Sequence, residues 1–127
     1  MHAKKRTLLI IDRDKILVQF LTEEFTKKKW DVRSTTSVTN AKKVYARKIP
    51  NVLVIDDAEP EADVFMREWR VSKKTGAIPI VVLTEGLSHD RLITHLGRGA
   101  KVYLKGQISL ASLTRVIEGC ATSQIKS

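Results

Sequence analysis

Residues 51–60 read Asn-Val-Leu-Val-Ile-Asp-Asp-Ala-Glu-Pro: four apolar side chains running straight into two carboxylates, with a glutamate and a proline just beyond. A short, continuous, mostly β-branched run is the pattern of a strand buried on both faces, because a strand with one wet face alternates polar and apolar residues. Two further stretches have the same form. Thr7–Ile11 leads into Asp12, Arg13 and Asp14, and Ile80–Leu83 leads into Thr84 and Glu85. Weaker strands are expected at Asp31 to Ser34 and at Val102 to Leu104, the latter followed by Lys105 and Gly106.

Between these runs the apolar spacing becomes helical. Leu17, Phe20, Leu21 and Phe25 recur at three and four, as do Val38, Ala41, Val44 and Tyr45. Amphipathic helices are also expected over Glu61 to Lys73, Ser88 to Gly97 and Ser109 to Gly119, with Ser88 and Ser109 as N-caps and Gly86, Gly97 and Gly99 marking turns. Five strands alternating with five helices predict an α/β fold, a doubly wound five-stranded parallel sheet flanked by five helices, because parallel strands need crossover connections. In such a sheet the ligand site lies beyond the carboxyl ends of the strands. The side chains to read there are Asp12, Asp56 and Thr84. Two carboxylates ending neighbouring strands repel each other, so the pocket calls for a cation, a proton or a basic side chain.

The chain has 127 residues, 43% of them hydrophobic, enough for one domain with its own core. We place that domain over 1–127, with the core at about 6–119 and flexible ends. A lone cysteine, Cys120, excludes an intrachain disulfide and a Cys-built zinc site. No apolar run approaches the length of a membrane span and no secretory leader is evident, so the expected location is cytoplasmic. The net charge is +9, and it is unevenly placed: residues 1–50 carry +8 and residues 51–127 carry +1. A basic excess suggests an anionic partner. Against a nucleic-acid-binding module stand the scattering of the lysines and the lack of interleaved aromatics; Trp30 and Trp69 fit helix–sheet packing better than base stacking.

Taken together, LLIIDRD, NVLVIDDAEP, IPIVVLTE and GAKVYLKG resemble, in order and spacing, the receiver domains of two-component response regulators. The resemblance covers Arg6 to about Glu118. It implies a flavodoxin-like strand order 2-1-3-4-5 and Asp56 as phosphoacceptor, with Pro60 in the family's proline place. It also implies Asp12 in an acidic pocket and Thr84 and Tyr103 as the switch pair, with Gly99-Ala100 ahead of Tyr103. Magnesium would sit between Asp12 and Asp56. A histidine kinase or phosphotransfer protein would donate the phosphoryl group, and an effector would bind around the fourth helix, fifth strand and fifth helix, near Arg91, His95, Arg98, Lys101 and Tyr103. Such a chain is a signalling module rather than an independent enzyme, and no phosphate loop or nucleophile elbow argues otherwise.

At two places the chain departs from the family. The second acid of the metal-binding pair is Arg13, and in gap-free register the conserved-type lysine falls on Gly106, followed by Gln107 instead of proline. A missing carboxylate and an added cation weaken a magnesium site. Two readings of Arg13 weigh equally: a built-in cation forked onto Asp56 or Asp12, or a side chain in solvent. Asp14 and Lys105 are possible substitutes if the backbone adjusts, although a solvated loop lysine is favoured for Lys105. Asp57 should point away from Asp56, Glu85 either narrows the pocket or lies in solvent, and His2, His89 and His95 lack metal-ligand spacing or a nearby acid and are expected at the surface. A flavin site of the same strand order is opposed by the anionic pocket.

Overall fold

A computed structural model describes residues 5–86 and 88–126. Strands β1 (Thr7–Ile11), β2 (Asp31–Thr35), β3 (Val52–Asp56), β4 (Ile80–Thr84) and β5 (Lys101–Leu104) alternate with helices α1 (Lys15–Lys27), α2 (Val38–Arg47), α3 (Ala62–Val71), α4 (His89–Gly97) and α5 (Leu110–Lys126). All pairings are parallel, in the order β2-β1-β3-β4-β5. This is the expected doubly wound sheet. The chain starts at β1, winds to one edge, then crosses back to β3, so the order reverses between β1 and β3, where Asp12 and Asp56 emerge.

The strand runs are apolar throughout because each side of the sheet is covered. Leu8, Ile10, Val52, Val54, Val81 and Leu83 face α1 and α5, packing on Leu21, Phe25 and Ile117. Leu9, Ile11, Leu53, Ile55 and Val82 face the other way, onto Phe65, Met66 and Trp69 of α3 and Ala41 of α2. Trp30 and Trp69 are both buried, each against another aromatic ring, Phe25 and Tyr45 respectively, so they belong to the core. Burial of this size is the main force holding the fold.

The helix ends follow their capping residues. Ser37, Ser88 and Ser109 accept backbone N–H groups at the starts of α2, α4 and α5, and Asp14 does so for α1. Helix α5 runs past the expected end at Gly119 to Lys126, because Cys120 and Ala121 are themselves buried and continue its apolar face. Helix α3 stops earlier than expected, at Val71. The segment after it folds back tightly: Thr75 donates to the Trp69 carbonyl, and a Cβ on Gly76 would come within 2.8 Å of the Arg70 and Ser72 carbonyl oxygens. His2 and Lys4 lie outside the described residues.

Trp69 is 1% exposed and its indole N–H reaches the Ile78 carbonyl. Trp69→Ala is therefore expected to lower the unfolding free energy by about 3–5 kcal/mol, read from urea denaturation. A loss below about 1 kcal/mol would mean that this face of the sheet does not carry the core.

Candidate functional site

Asp12 is the first residue after β1 and Asp56 the last of β3, so the pairing of those strands brings both carboxylates to one end of the sheet. Their surroundings differ. Asp12 is 2% exposed and accepts the backbone N–H of Asp14; Asp56 is 8% exposed and accepts that of Ala58. Neither hydrogen bond supplies a full positive charge. Lys105 does: its Nζ lies 2.7 Å from Asp56 Oδ2 and 3.0 Å from Asp12 Oδ1. One ammonium thus bridges two buried acids. Burial pushes the Asp12 carboxyl above the usual aspartate range, against the pull of the Asp14 N–H and the ammonium. For Lys105 burial disfavours the charge, but the hydrogen bonds to Asp56 and Asp12 outweigh it and hold the ammonium above the usual lysine range.

This corrects the expectation of a solvated Lys105 with Gly106 in the lysine's place. The Lys105 N–H donates to the Thr84 carbonyl, continuing the β5–β4 pairing by one residue. The side chain therefore leaves the sheet edge directly into the pocket, while Gly106 is exposed in the turn that follows. Gap-free register misplaced the lysine because it assumed a loop one residue longer.

Arg13 is not a built-in cation. It turns outward, 65% exposed, with Nε 3.2 Å from the almost buried Glu59 carboxylate, and makes no contact with Asp12 or Asp56. Glu59 is a partner that sequence reasoning missed; its place three residues after Asp56 was the available signal. Asp14 does not swing in as a replacement ligand, because its carboxylate caps α1 by accepting from Ile16 and Leu17. Thr84 is buried at the end of β4, its hydroxyl donating to the Gly86 carbonyl and accepting the Gly86 N–H. Tyr103 is half-buried against the core on the α1 and α5 side. Glu85 is exposed.

The largest departure from expectation is on the far side of Asp56. Asp57 does point the other way, but not to solvent: its side chain is 4% exposed and takes Arg91 at 2.5 Å and His95 Nε2 at 3.4 Å, both from α4. His95 is 3% exposed, so the expected surface histidine without a nearby acid is a buried one on an acid. Arg98 reaches Asp63 of α3 at 2.7 Å, holding that carboxyl below its ordinary range. His95 and Arg98 therefore turn inward from α4, towards Asp57 and Asp63, while Arg91 reaches Asp57 with about half of its side chain still exposed. The spacing of four and three on α4 was the signal that these residues share one side.

With the geometry in view, solved structures supply the comparison. A response regulator receiver domain protein from Methanospirillum hungatei superposes with a TM-score of 0.84 at 16% identity, covering 97% of this chain and 98% of that one. A response regulator from Thermotoga maritima gives 0.79 at 18%, covering 94% and 99%. The receiver domain of a histidine kinase from Syntrophus aciditrophicus gives 0.79 at 15%, covering 93% and 91%. The chain has the receiver-domain fold. No family model and no curated protein matches the sequence.

The resemblance implies magnesium between Asp12 and Asp56, the two acids that this pocket brings together. Its donor set fits magnesium only in part. Two carboxylates, Asp12 and Asp56, would hold the ion, but Arg13 and Asp14 point elsewhere, and among the described residues no group of three His, Cys, Asp or Glu side chains is arranged for a metal. Lys105 already neutralises one of the two negative charges.

An acid whose pKa is higher folded than unfolded loses stability as pH rises through its titration, whereas a lysine whose pKa is raised gives its full contribution below its ordinary range. Lys105→Met is thus expected to cost about 2 kcal/mol near neutral pH and much less near pH ~4, where Asp12, its carboxyl raised by burial, takes up a proton. Equal losses at both pH values, from paired denaturation curves, would assign Lys105 a packing role only.

Proposed function

We propose that this chain is a signal-transduction receiver with Asp56 as phosphoacceptor, in which magnesium binding is weak and Lys105 is the resident cation of the pocket. The observation that carries the reading is the Lys105 ammonium shared between Asp12 and Asp56. A carboxylate attacking a phosphoryl group must overcome repulsion between two anions, and a preorganised cation in a partly dry pocket lowers that barrier. In the step, an Asp56 oxygen forms the new O–P bond as the bond from phosphorus to the donor breaks, and the leaving group departs with its electron pair. The donor is a phosphohistidine on a kinase or phosphotransfer protein, or a small acyl phosphate. Magnesium, held by Asp12 and Asp56, would supply further neutralisation of the phosphoryl oxygens.

Thr84 and Tyr103 serve as the switch pair. Among the described residues the Thr84 hydroxyl is held by the backbone of Gly86, two residues on, and so exchanges those bonds for a phosphoryl oxygen at low cost. Output is to another protein through the face of α4, β5 and α5. On α4 the exposed apolar residues Ile93 and Leu96 lie opposite the side that is tied to Asp57 and Asp63, and they suit that role. The ion cluster of Asp57, Arg91 and His95 joins the residue next to the acceptor to α4, so a change at Asp56 has a short route to the output helix. No helix among the described residues is long and apolar enough to cross a membrane, which agrees with a cytoplasmic site of action.

With acetyl phosphate and magnesium, wild-type protein should form a substoichiometric adduct that Asp56→Asn abolishes. Arg13→Asp, which restores a carboxylate and removes a cation, should tighten magnesium by about tenfold or more, read by calorimetry, and raise the adduct yield. A stoichiometric wild-type adduct at millimolar magnesium would overturn the weak-metal reading. Absence of any adduct in both proteins would overturn Asp56 as acceptor.

A further inference from the structure

The basic residues that are scattered along the sequence are gathered by the fold. Every strand of a parallel sheet starts at the same edge, and at that edge, opposite the acidic pocket, lie the ends of the helices that lead into the strands. Helix α1 delivers Lys27, Lys28 and Lys29 there, and α2 delivers Arg47 and Lys48. The turn after α3 adds Lys73 and Lys74, β5 opens on Lys101, and Lys5 and Arg6 precede β1. The acid set among these residues is Asp31, already held by Arg33 and Lys48. Two more of the cations are occupied, Lys27 by Glu24 and Lys28 by Glu118. Lys5, Arg6, Lys29, Arg47, Lys73, Lys74 and Lys101 have no carboxylate partner among the described residues, and all but the half-buried Arg6, which lies over the Trp30 ring, are exposed. The scatter that argued against a nucleic-acid partner is a property of the sequence and not of the surface.

We propose that this basic end docks on the phosphodiester backbone of double-stranded nucleic acid, without reading its sequence. Five strands about 4.8 Å apart set the cations across about 19 Å, with a helical layer on each side, and a duplex presents one phosphate charge per about 1.7 Å of its axis. The chemistry of the surface selects this occupant. Trp30 and Trp69 are buried, so neither indole is offered to the bases of a single strand. The end is built from loops and the last turns of helices, and among the described residues no helix or ribbon is directed outward to enter a groove, so contact is with phosphates. Its exposed apolar residues, Ile49 after α2 and Val71 at the end of α3, are separate aliphatics, and stable attachment to an anionic membrane by basic residues needs a second, apolar anchor. The acidic residues at the opposite end orient the molecule so that the basic end meets a polyanion first.

The test is fluorescence anisotropy with two labelled duplexes of unrelated sequence, alongside vesicles containing phosphatidylserine. Both duplexes should bind with the same affinity, falling about a hundredfold between 50 and 200 mM salt, as engagement of about four phosphates requires. The triple variant Lys29→Glu, Lys73→Glu, Lys74→Glu should lose at least tenfold in affinity and show a shallower salt dependence. Lys15→Glu, exposed near the opposite end, should bind as wild type, whereas Lys29→Glu alone, an equal change of charge, should weaken binding, so that location and not total charge is what matters. Circular dichroism melts of the variants confirm that they fold. No binding at low salt, equal binding by the triple variant, or tighter association with vesicles than with duplex would each overturn the proposal. Asp56→Asn should leave duplex binding intact, so this result stands or falls separately from the phosphoacceptor reading.

Discussion

Three charges at the ends of three strands set the character of this molecule. Asp12 and Asp56 come together because β1 and β3 are neighbours at the point where strand order reverses, and two carboxylates so placed are stable only if something positive joins them. Lys105 joins them. Its backbone is tied to Thr84, so the cation is positioned by the β4–β5 pairing and not by a flexible loop. The site therefore draws on β1, β3, β4 and the residue following β5, and any disturbance of strand register would reach it.

The fold was legible in the sequence because its signals are local and repeated. Strand runs such as Val52–Ile55 cannot be mistaken for half-wet strands, and the helices carry their apolar stripes and serine caps openly. The site was legible as a set of positions but not as a set of contacts. Which way Arg13 points depends on whether Glu59 offers a buried carboxylate nearby, and Asp14 is lost to the pocket because α1 needs a cap. Lys105 was misplaced for a related reason: one residue more or less in a turn decides whether a lysine enters a pocket, and no periodicity reports turn length.

Asp57 shows what strand alternation says and what it leaves out. Successive side chains at a strand end point to opposite faces, so Asp56 facing the pocket puts Asp57 on the α4 side. Alternation does not say that the second face is closed. With Arg91 and His95 packed over it, Asp57 becomes a buried anion whose partners both belong to one helix. Helix α4 has one buried side chain, His95, and that side chain meets Asp57 at 3.4 Å, so a polar contact lies at the centre of its attachment. Attachments of that kind shift more readily than a greasy interface when local potential changes.

The separation of acids at one end of the sheet from lysines at the other makes the domain an electric dipole as well as a cation of +9. A dipole of this kind attracts its own copies head to tail when few ions screen it, even though the net charges repel. Dilute buffer should therefore favour reversible association and modest salt should disperse it, so added salt would raise the solubility of this strongly basic protein.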